Sequence, residues 1–195
     1  MDNSNFFAIL SRMKYVNRWG LMRNARNESL SDHTLDVIFI THALVMVSNT
    51  YFEGHYDEGR AVLLAAFHDA PEIITGDLPT PVKYYDPEIK KTYDRVEEAA
   101  IDKMLSTLPE ELNEGYASLL RPDEKDKELK KFVKAADKLS ALIKCIEEEQ
   151  SGNRDFDEAK ASTEKIIEGL NMPEVSFFME HFLPGYYLTL DKQTE

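Results

Sequence analysis

The sequence has 195 residues, of which 43% are hydrophobic, enough for one domain with a substantial buried core. Its 36 acidic and 23 basic residues give a formal net charge of −13, and a field of that sign repels long polyanions such as DNA and RNA. A single nucleotide is not excluded as a ligand, because a metal ion and a few local cations can hold one phosphate. The only cysteine, Cys145, excludes an internal disulfide and a thiolate metal cage.

The N-terminal segment 1–14 mixes polar and apolar residues and lacks the charged region and apolar run of a signal peptide. No stretch approaches about 18 uninterrupted apolar residues, the length expected of a membrane-spanning helix. We therefore expect a soluble, cytoplasmic protein with no membrane partner.

Apolar residues recur at helical spacing along the chain, and strictly alternating, β-branched runs are absent. The pattern predicts an all-α fold, a single domain over residues 1–195 with about eight to ten helices. The second helix is expected to begin at Asp32 with Ser31 as its cap, and the third to be interrupted near Pro71. The expected helices cover about 6–15, 32–49, 57–75, 87–107, a segment from 108, 124–150, 157–169 and 173–182. Prolines exclude regular helix from 76–81.

Residues able to bind a metal stand at three places in apolar or helical surroundings: His33, the pair His68 and Asp69, and Asp137. Two imidazoles and two carboxylates suit a divalent ion such as cobalt, manganese, zinc or iron. The same residues also fit a buried salt bridge made by Asp69 and a hydrogen-bonded core histidine, since a bare buried carboxylate is costly unless it is paired or ligated. The residues by themselves leave both interpretations open.

The order of His33, then His68-Asp69, then Asp137 resembles the H…HD…D signature of HD-domain phosphohydrolases. Further segments resemble the bacterial 5′-deoxynucleotidase subfamily, namely Phe6 to Arg12, Asn17-Arg18-Trp19, Leu21 to Asn24, Glu28 to His33 and His68 to Tyr84, which includes Thr75-Gly76-Asp77-Leu78-Pro79-Thr80-Pro81-Val82-Lys83. The resemblance covers nearly the whole chain. One departure is Ala70-Pro71 before Glu72, which is expected to alter loop geometry and no ligand.

The resemblance implies an HD-domain helical bundle that removes the 5′-phosphate from deoxyribonucleoside monophosphates of any base. It implies one divalent ion, cobalt or manganese, with zinc, iron or copper as further possibilities. The implied metal ligands are His33, His68, Asp69 and Asp137. The implied catalytic residues are Arg18, Glu72 and Asp77, and the implied substrate-binding residues are Arg18, Trp19, His33, Asp77, Leu78, Pro79, Thr80 and Asp137.

Each role has a chemical reason. The guanidinium of Arg18 offers a bidentate fork to phosphate, although a surface arginine is the ordinary alternative. Trp19 can stack on the sugar or the base, or crowd the space that a ribose 2′-hydroxyl would need, although a core aromatic is its alternative. Glu72 and Asp77 can move protons, and Asp77 can also hold the 3′-hydroxyl. Lys83 can add local positive charge, although a solvated lysine is expected.

Two other functions stay open on the sequence. One is an HD phosphohydrolase for another small phosphate ester, such as a cyclic nucleotide or a nucleoside triphosphate. The other is a non-catalytic nucleotide-binding module that keeps the fold. Apolar helical proteins of this size often pair, so a homodimer is also expected.

Overall fold

The computed structural model describes residues 3–79, 82 and 85–194. In these residues, the segments with apolar residues at helical spacing form helices. No strand occurs in these residues; one isolated antiparallel bridge joins Asn17 and Ser29. The described α-helices, numbered in chain order, are α1 (Phe6–Leu10), α2 (Leu30–Tyr51), α3 (Glu58–Phe67), α4 (Glu72–Thr75), α5 (Pro87–Leu105), α6 (Glu110–Leu120), α7 (Lys127–Gln150), α8 (Asp157–Glu168), α9 (Pro173–His181) and α10 (Leu190–Gln193). The predicted all-α fold is confirmed.

Three 3₁₀ turns extend or connect these helices. They are Ser11–Tyr15, Glu124–Asp126 and Leu183–Tyr187. The first continues α1 to the residue at which the sequence predicted the first helix to end. The second leads into α7, so the long helix predicted from 124 begins as a tighter turn.

Helix α2 begins two residues earlier than expected, and the cap is Ser29, not Ser31. The Ser29 hydroxyl accepts a hydrogen bond from the Asp32 N–H at 3.2 Å, and the Asp32 carboxylate accepts one from the Ser29 N–H at 2.9 Å. This reciprocal pair satisfies backbone donors that the helix leaves open. Ser31 therefore lies inside the helix, and His33 falls in its first turn.

The predicted interruption near Pro71 is confirmed, and it separates α3 from α4. Proline has no N–H to donate to the carbonyl four residues earlier, so α3 ends at Phe67. Pro71 instead stands before the first residue of α4 with a φ of −59°. Turn-type bonds hold the residues between, including Glu72 N–H to the Asp69 carbonyl at 3.0 Å. His68 and Asp69 thus lie in a tight turn between two helices.

The chain forms two compact units. The first takes its described residues from 1–21, 27–35 and 66–127. Its core contains seven buried apolar side chains: Phe6, Ala70, Ile101, Met104, Leu105, Leu108 and Leu120. Phe67 and Ile73 are partly buried and pack against this core. Together with the buried Ala70, they anchor the turn that carries His68 and Asp69.

The second unit takes its described residues from 22–26, 36–65 and 128–195. Ser48 of α2 donates a hydrogen bond to the buried Glu174 of α9 at 2.6 Å. The Tyr56 ring meets the Phe132 ring of α7 edge-on, with 4.9 Å between centroids. Cys145 is buried here, as expected of a packing residue. The prediction of one domain over 1–195 stays a prediction.

Within the described residues, α2 is the helix long and apolar enough to cross a membrane. Over 18 residues its mean hydropathy is 1.3, and half of that window is buried inside the protein. Val37, Leu44 and Val45 on this helix are fully buried. Core helices share this length and hydropathy, so the feature carries no argument for a membrane, and the expected absence of a membrane partner stays a prediction.

Candidate metal centre

Three of the four predicted metal ligands meet in the first unit. The Nε2 atom of His68 lies 3.1 Å from Oδ2 of Asp69, and the Nε2 atom of His33 lies 3.6 Å from the same oxygen. The two imidazole rings are tilted by 54° relative to each other, with 5.5 Å between centroids. His33 is fully buried, and the side chains of His68 and Asp69 are 13% and 20% exposed. The first turn of α2 and the turn after α3 therefore present their ligand atoms to one small volume.

The Asp69 carboxyl lies in an environment that favours its ionised form. Burial raises its pKa, but the adjacent His68 and His33 lower it more, through charge and hydrogen bonds, and hold the pKa well below its usual value. Asp69 is therefore an anionic donor, which a divalent cation requires to offset its charge.

The donor set fits a divalent transition ion. His33, His68 and Asp69 each offer one ligand atom, and these atoms all lie within 4.8 Å of one another. Ligands about 2.0–2.2 Å from a shared ion are separated by up to about 4.4 Å, so small side-chain rotations suffice to bind one. Mixed imidazole and carboxylate ligands suit such an ion better than magnesium or calcium, which take oxygen ligands.

Asp137, the fourth predicted ligand, belongs to the second unit. It lies on α7, its side chain is 23% exposed, and it accepts a hydrogen bond from Lys138 Nζ at 2.8 Å. A partly buried carboxylate on a long helix is a reasonable ligand, and its role as the fourth one stays a prediction.

Arg18 lies beside the cluster. Its Nη1 atom is 3.8 Å from Oδ2 of Asp69, and its Nε donates to Oε2 of Glu28 at 3.1 Å. The side chain is only 12% exposed, so the surface-arginine alternative does not describe it. A buried guanidinium with one edge on a carboxylate and the other toward a metal site is suited to receive a phosphate.

Trp19 follows Arg18 in the chain and is partly buried, so part of its ring remains accessible. Its indole N–H donates to Oε2 of Glu28 at 2.9 Å. Its backbone is left-handed, with a φ of +57°, a conformation that bulky L-residues adopt only when their surroundings impose it. Trp19 is therefore held in an unusual position at the edge of the cluster.

Asp77 reaches the same place from the irregular segment after α4. Its carboxyl accepts a hydrogen bond from the backbone N–H of Trp19. Burial raises its pKa, Arg18 lowers it and Asp69 raises it, and the net shift is upward. Gly76 begins this segment with a φ of +78°, which glycine adopts without strain and which turns the chain out of the helix.

The remaining predicted residues lie partly within and partly outside the described part of the chain. Glu72 is buried at the start of α4, in the helical turn that follows Asp69. Leu78 and Pro79 are partly buried in the irregular segment beside Asp77. Thr80 and Lys83 lie outside the described residues, so their predicted roles stay predictions.

Two residues of this site were not predicted from the sequence. Glu28 accepts hydrogen bonds from the side chains of both Arg18 and Trp19, whereas the sequence shows only an isolated glutamate before a helix. Tyr93 of α5 donates to the Gly76 carbonyl at 2.8 Å and lies 3.0 Å from the Thr75 hydroxyl, which fixes the loop that carries Asp77. Both contacts join residues nine to eighteen positions apart, which no helical spacing indicates.

Known proteins resemble this chain over nearly its whole length. A 5′-deoxynucleotidase of Photorhabdus temperata is 46% identical over 97% of this chain and 96% of its own, and one of Pectobacterium atrosepticum is 45% identical over 98% and 96%. An HD-domain phosphohydrolase of Listeria innocua superposes with a TM-score of 0.81 at 25% identity, covering 93% of this chain and 88% of its own.

Residues 5–186 match the family described as 5′-deoxynucleotidase YfbR-like. The match includes His33, His68 and Asp69 together with Arg18 and Glu28. The chain belongs to the 5′-deoxynucleotidase YfbR-like family.

Proposed function

We propose that this protein is a metal-dependent 5′-deoxynucleotidase, which hydrolyses deoxyribonucleoside 5′-monophosphates to deoxynucleoside and phosphate. One observation carries the proposal: three ligand atoms lie within 4.8 Å of one another, and a buried guanidinium lies 3.8 Å from the carboxylate among them. This arrangement is suited to phosphate chemistry. The name 5′-deoxynucleotidase, borne by relatives at 45–46% identity, supports the choice of substrate.

His33, His68 and Asp69 would hold the metal, with Asp137 as the fourth ligand. A divalent ion supplies Lewis acidity to the phosphoryl group. We propose cobalt or manganese, with zinc, iron or copper as the other candidates for this donor set. Arg18 would neutralise charge on the same phosphoryl group, because phosphoryl transfer depends on positioning and charge neutralisation more than on covalent chemistry.

Glu72 and Asp77 are the carboxyls available for proton transfer. Glu72 is buried in the turn after Asp69, and Asp77 is partly buried with a raised pKa, so both are suited to exchange a proton at this site. One activates the attacking water and the other serves the leaving 5′-oxygen. Asp77 also holds the 3′-hydroxyl of the sugar.

The sugar lies against Trp19, which excludes a ribose 2′-hydroxyl. Because an apolar pocket that merely fails to bond a hydroxyl discriminates only about 10²-fold, a rigid wall is needed. The imposed backbone of Trp19 and its hydrogen bond to Glu28 supply that rigidity. The remaining substrate contacts come from His33, Leu78, Pro79, Thr80 and Asp137, and no residue is assigned to the base, so we expect all bases to be accepted.

We further propose that the protein is a cytoplasmic homodimer built from one HD domain per chain. Its net charge of −13 disfavours nucleic acid polymers as substrates.

Phosphate release from a nucleotide panel tests the proposal. The purified enzyme is freed of metal, reloaded with each of cobalt, manganese, zinc, iron and copper, and offered deoxy- and ribonucleoside 5′-monophosphates, cyclic nucleotides and triphosphates. The expected result is release from deoxyribonucleoside monophosphates of every base. Chromatography of the products covers the alternative substrates, because a cyclic nucleotide opens to a nucleoside monophosphate without releasing phosphate. Preferred hydrolysis of a cyclic nucleotide or a triphosphate would replace this substrate by the alternative one. Binding without release in every metal would favour a non-catalytic module.

A further inference from the structure

The carboxylate of Glu28 connects the two residues assigned to phosphate and sugar. Its Oε2 atom accepts from Arg18 Nε at 3.1 Å and from the Trp19 indole N–H at 2.9 Å. Glu28 is only 9% exposed, so both bonds are shielded from water. Hydrogen bonds to a buried charged group are stronger and more directional than exposed neutral ones.

The backbone around Glu28 reinforces these contacts. The Arg18 N–H donates to the Glu28 carbonyl at 3.0 Å, and the Leu30 N–H donates to the Val16 carbonyl at 2.8 Å. The two segments therefore run antiparallel, and Glu28 is fixed opposite Arg18. The same pairing leads directly into α2, on whose first turn His33 lies. The short segment from Glu28 to His33 thus contains both the carboxylate that binds Arg18 and Trp19 and a predicted metal ligand.

We propose that Glu28 is a positioning residue that sets the arrangement of Arg18 and Trp19, and that it thereby controls both the rate of phosphate release and the preference for deoxyribose. The inference rests on the proposed function. Arg18 has one edge on Glu28 and the other beside Asp69, so the Glu28 carboxylate fixes the direction in which the guanidinium points. The indole, bonded through its nitrogen, cannot rotate away from the space of the 2′-hydroxyl.

Two substitutions separate these effects. Glu28→Ala removes the acceptor for both side chains, and Glu28→Gln keeps one neutral oxygen able to accept the indole N–H while removing the charge that pairs with Arg18. Glu174→Ala is the matched control, because Glu174 is a buried glutamate bonded to Ser48 in the second unit. It should lower thermal stability without acting on the site.

Trp19 is the only tryptophan, so its fluorescence reports on the indole independently of activity. Glu28→Ala should shift its emission to longer wavelength and increase quenching by acrylamide. The same variant should lose about 10- to 100-fold in kcat/KM for a deoxyribonucleotide, since small misplacements of a catalytic group cost that much, and should narrow the deoxy-to-ribo ratio. Glu28→Gln should keep near-normal Trp19 emission and a near-normal deoxy-to-ribo ratio of kcat/KM, but its turnover should be reduced. Glu174→Ala should leave emission and ratio unchanged.

The inference is overturned if Glu28→Ala keeps the helical circular dichroism, the emission and the sugar ratio of the wild type. It is also overturned if Glu174→Ala narrows the deoxy-to-ribo ratio of kcat/KM as much as Glu28→Ala does, since a general loss of stability would then explain the effect. If Glu28→Ala fails to fold, Glu28→Gln decides, and wild-type turnover in that variant overturns the inference. Absence of phosphate release by the wild type would instead refute the proposed function. Unchanged Trp19 emission in Glu28→Ala would separately refute the claim that Glu28 holds the indole in place.

Discussion

Oδ2 of Asp69 lies 3.1 Å from His68, 3.6 Å from His33 and 3.8 Å from Arg18, so a single carboxylate oxygen faces both predicted imidazole ligands and the predicted phosphate-binding cation. Asp69 is therefore placed between the proposed metal site and the proposed phosphate-binding residue. Substitutions around it should separate the two proposed functions, because His68 is assigned to the metal alone and Arg18 is assigned to the phosphate.

Loss of a metal ligand should remove the ion. His68→Ala, Asp69→Ala and Asp137→Ala should each lower metal affinity by at least about 100-fold, since even the outer partners of ligands are worth 10–100-fold. Metal content by plasma mass spectrometry after dialysis measures this. His42→Ala is the control, because His42 lies on α2 with His33 but is exposed. Full retention of metal by Asp137→Ala would show that Asp137 is not the fourth ligand.

Arg18→Ala should lower turnover strongly while metal content stays normal. Removing a donor to a transition state typically costs about 10²–10³ in rate, and the metal ligands are untouched. Steady-state kinetics with parallel metal analysis measures both quantities. Arg95→Ala, at an exposed arginine of α5, should leave turnover unchanged. Near-normal turnover in Arg18→Ala would mean that another cation, with Lys83 next in order, neutralises the phosphate.

Trp19→Ala should admit ribonucleotides. The indole is the proposed wall, so its loss should narrow the deoxy-to-ribo ratio of kcat/KM. Asp77→Ala should lower kcat/KM for deoxy- and ribonucleotides by a similar factor, because both sugars carry the 3′-hydroxyl. Kinetics on one matched deoxy and ribo pair measures the two effects. If Trp19→Ala keeps full discrimination, another residue forms the wall.

A buried ion pair in the second unit should make stability depend on pH. Burial alone would raise the pKa of Glu148, but hydrogen bonds from Lys144, the backbone N–H groups of Ala25 and Arg26, and Asn153 outweigh it and lower the pKa from 4.5 to about 2. A folded-state pKa below the unfolded one contributes stability that is present above about pH 4.5 and is lost as the pH falls toward 2. The contribution is up to about 3 kcal/mol.

Urea unfolding at several pH values tests this contribution. The stability advantage of the wild type over Glu148→Gln should be largest at pH 7 and shrink steadily below about pH 4.5. Glu147→Gln, at the exposed neighbouring residue, should show little difference from the wild type at any pH. An advantage over Glu148→Gln that stays constant from pH 7 to pH 3 would contradict the lowered pKa.

Much of the fold follows from local features of the sequence. The bounds of α5, α8 and α9 agree with the predicted bounds within two residues, because apolar spacing acts locally, as does the proline at the start of α5 and of α9. The break before Pro71 is equally local. The start of α2 was placed two residues late, because Ser29 and Ser31 are both plausible caps and only the position of the Asp32 carboxylate selects Ser29.

The sequence by itself determined the helical class, most helix bounds and the identity of His33, His68 and Asp69 as ligand-type residues, because spacing, capping and side-chain chemistry are properties of a few neighbouring residues. Only the tertiary structure decided that these three side chains meet around one oxygen, and that Glu28 holds both Arg18 and Trp19. Such contacts form when the chain reverses and distant segments pair. Their distances depend on packing of the whole unit, which no local pattern encodes.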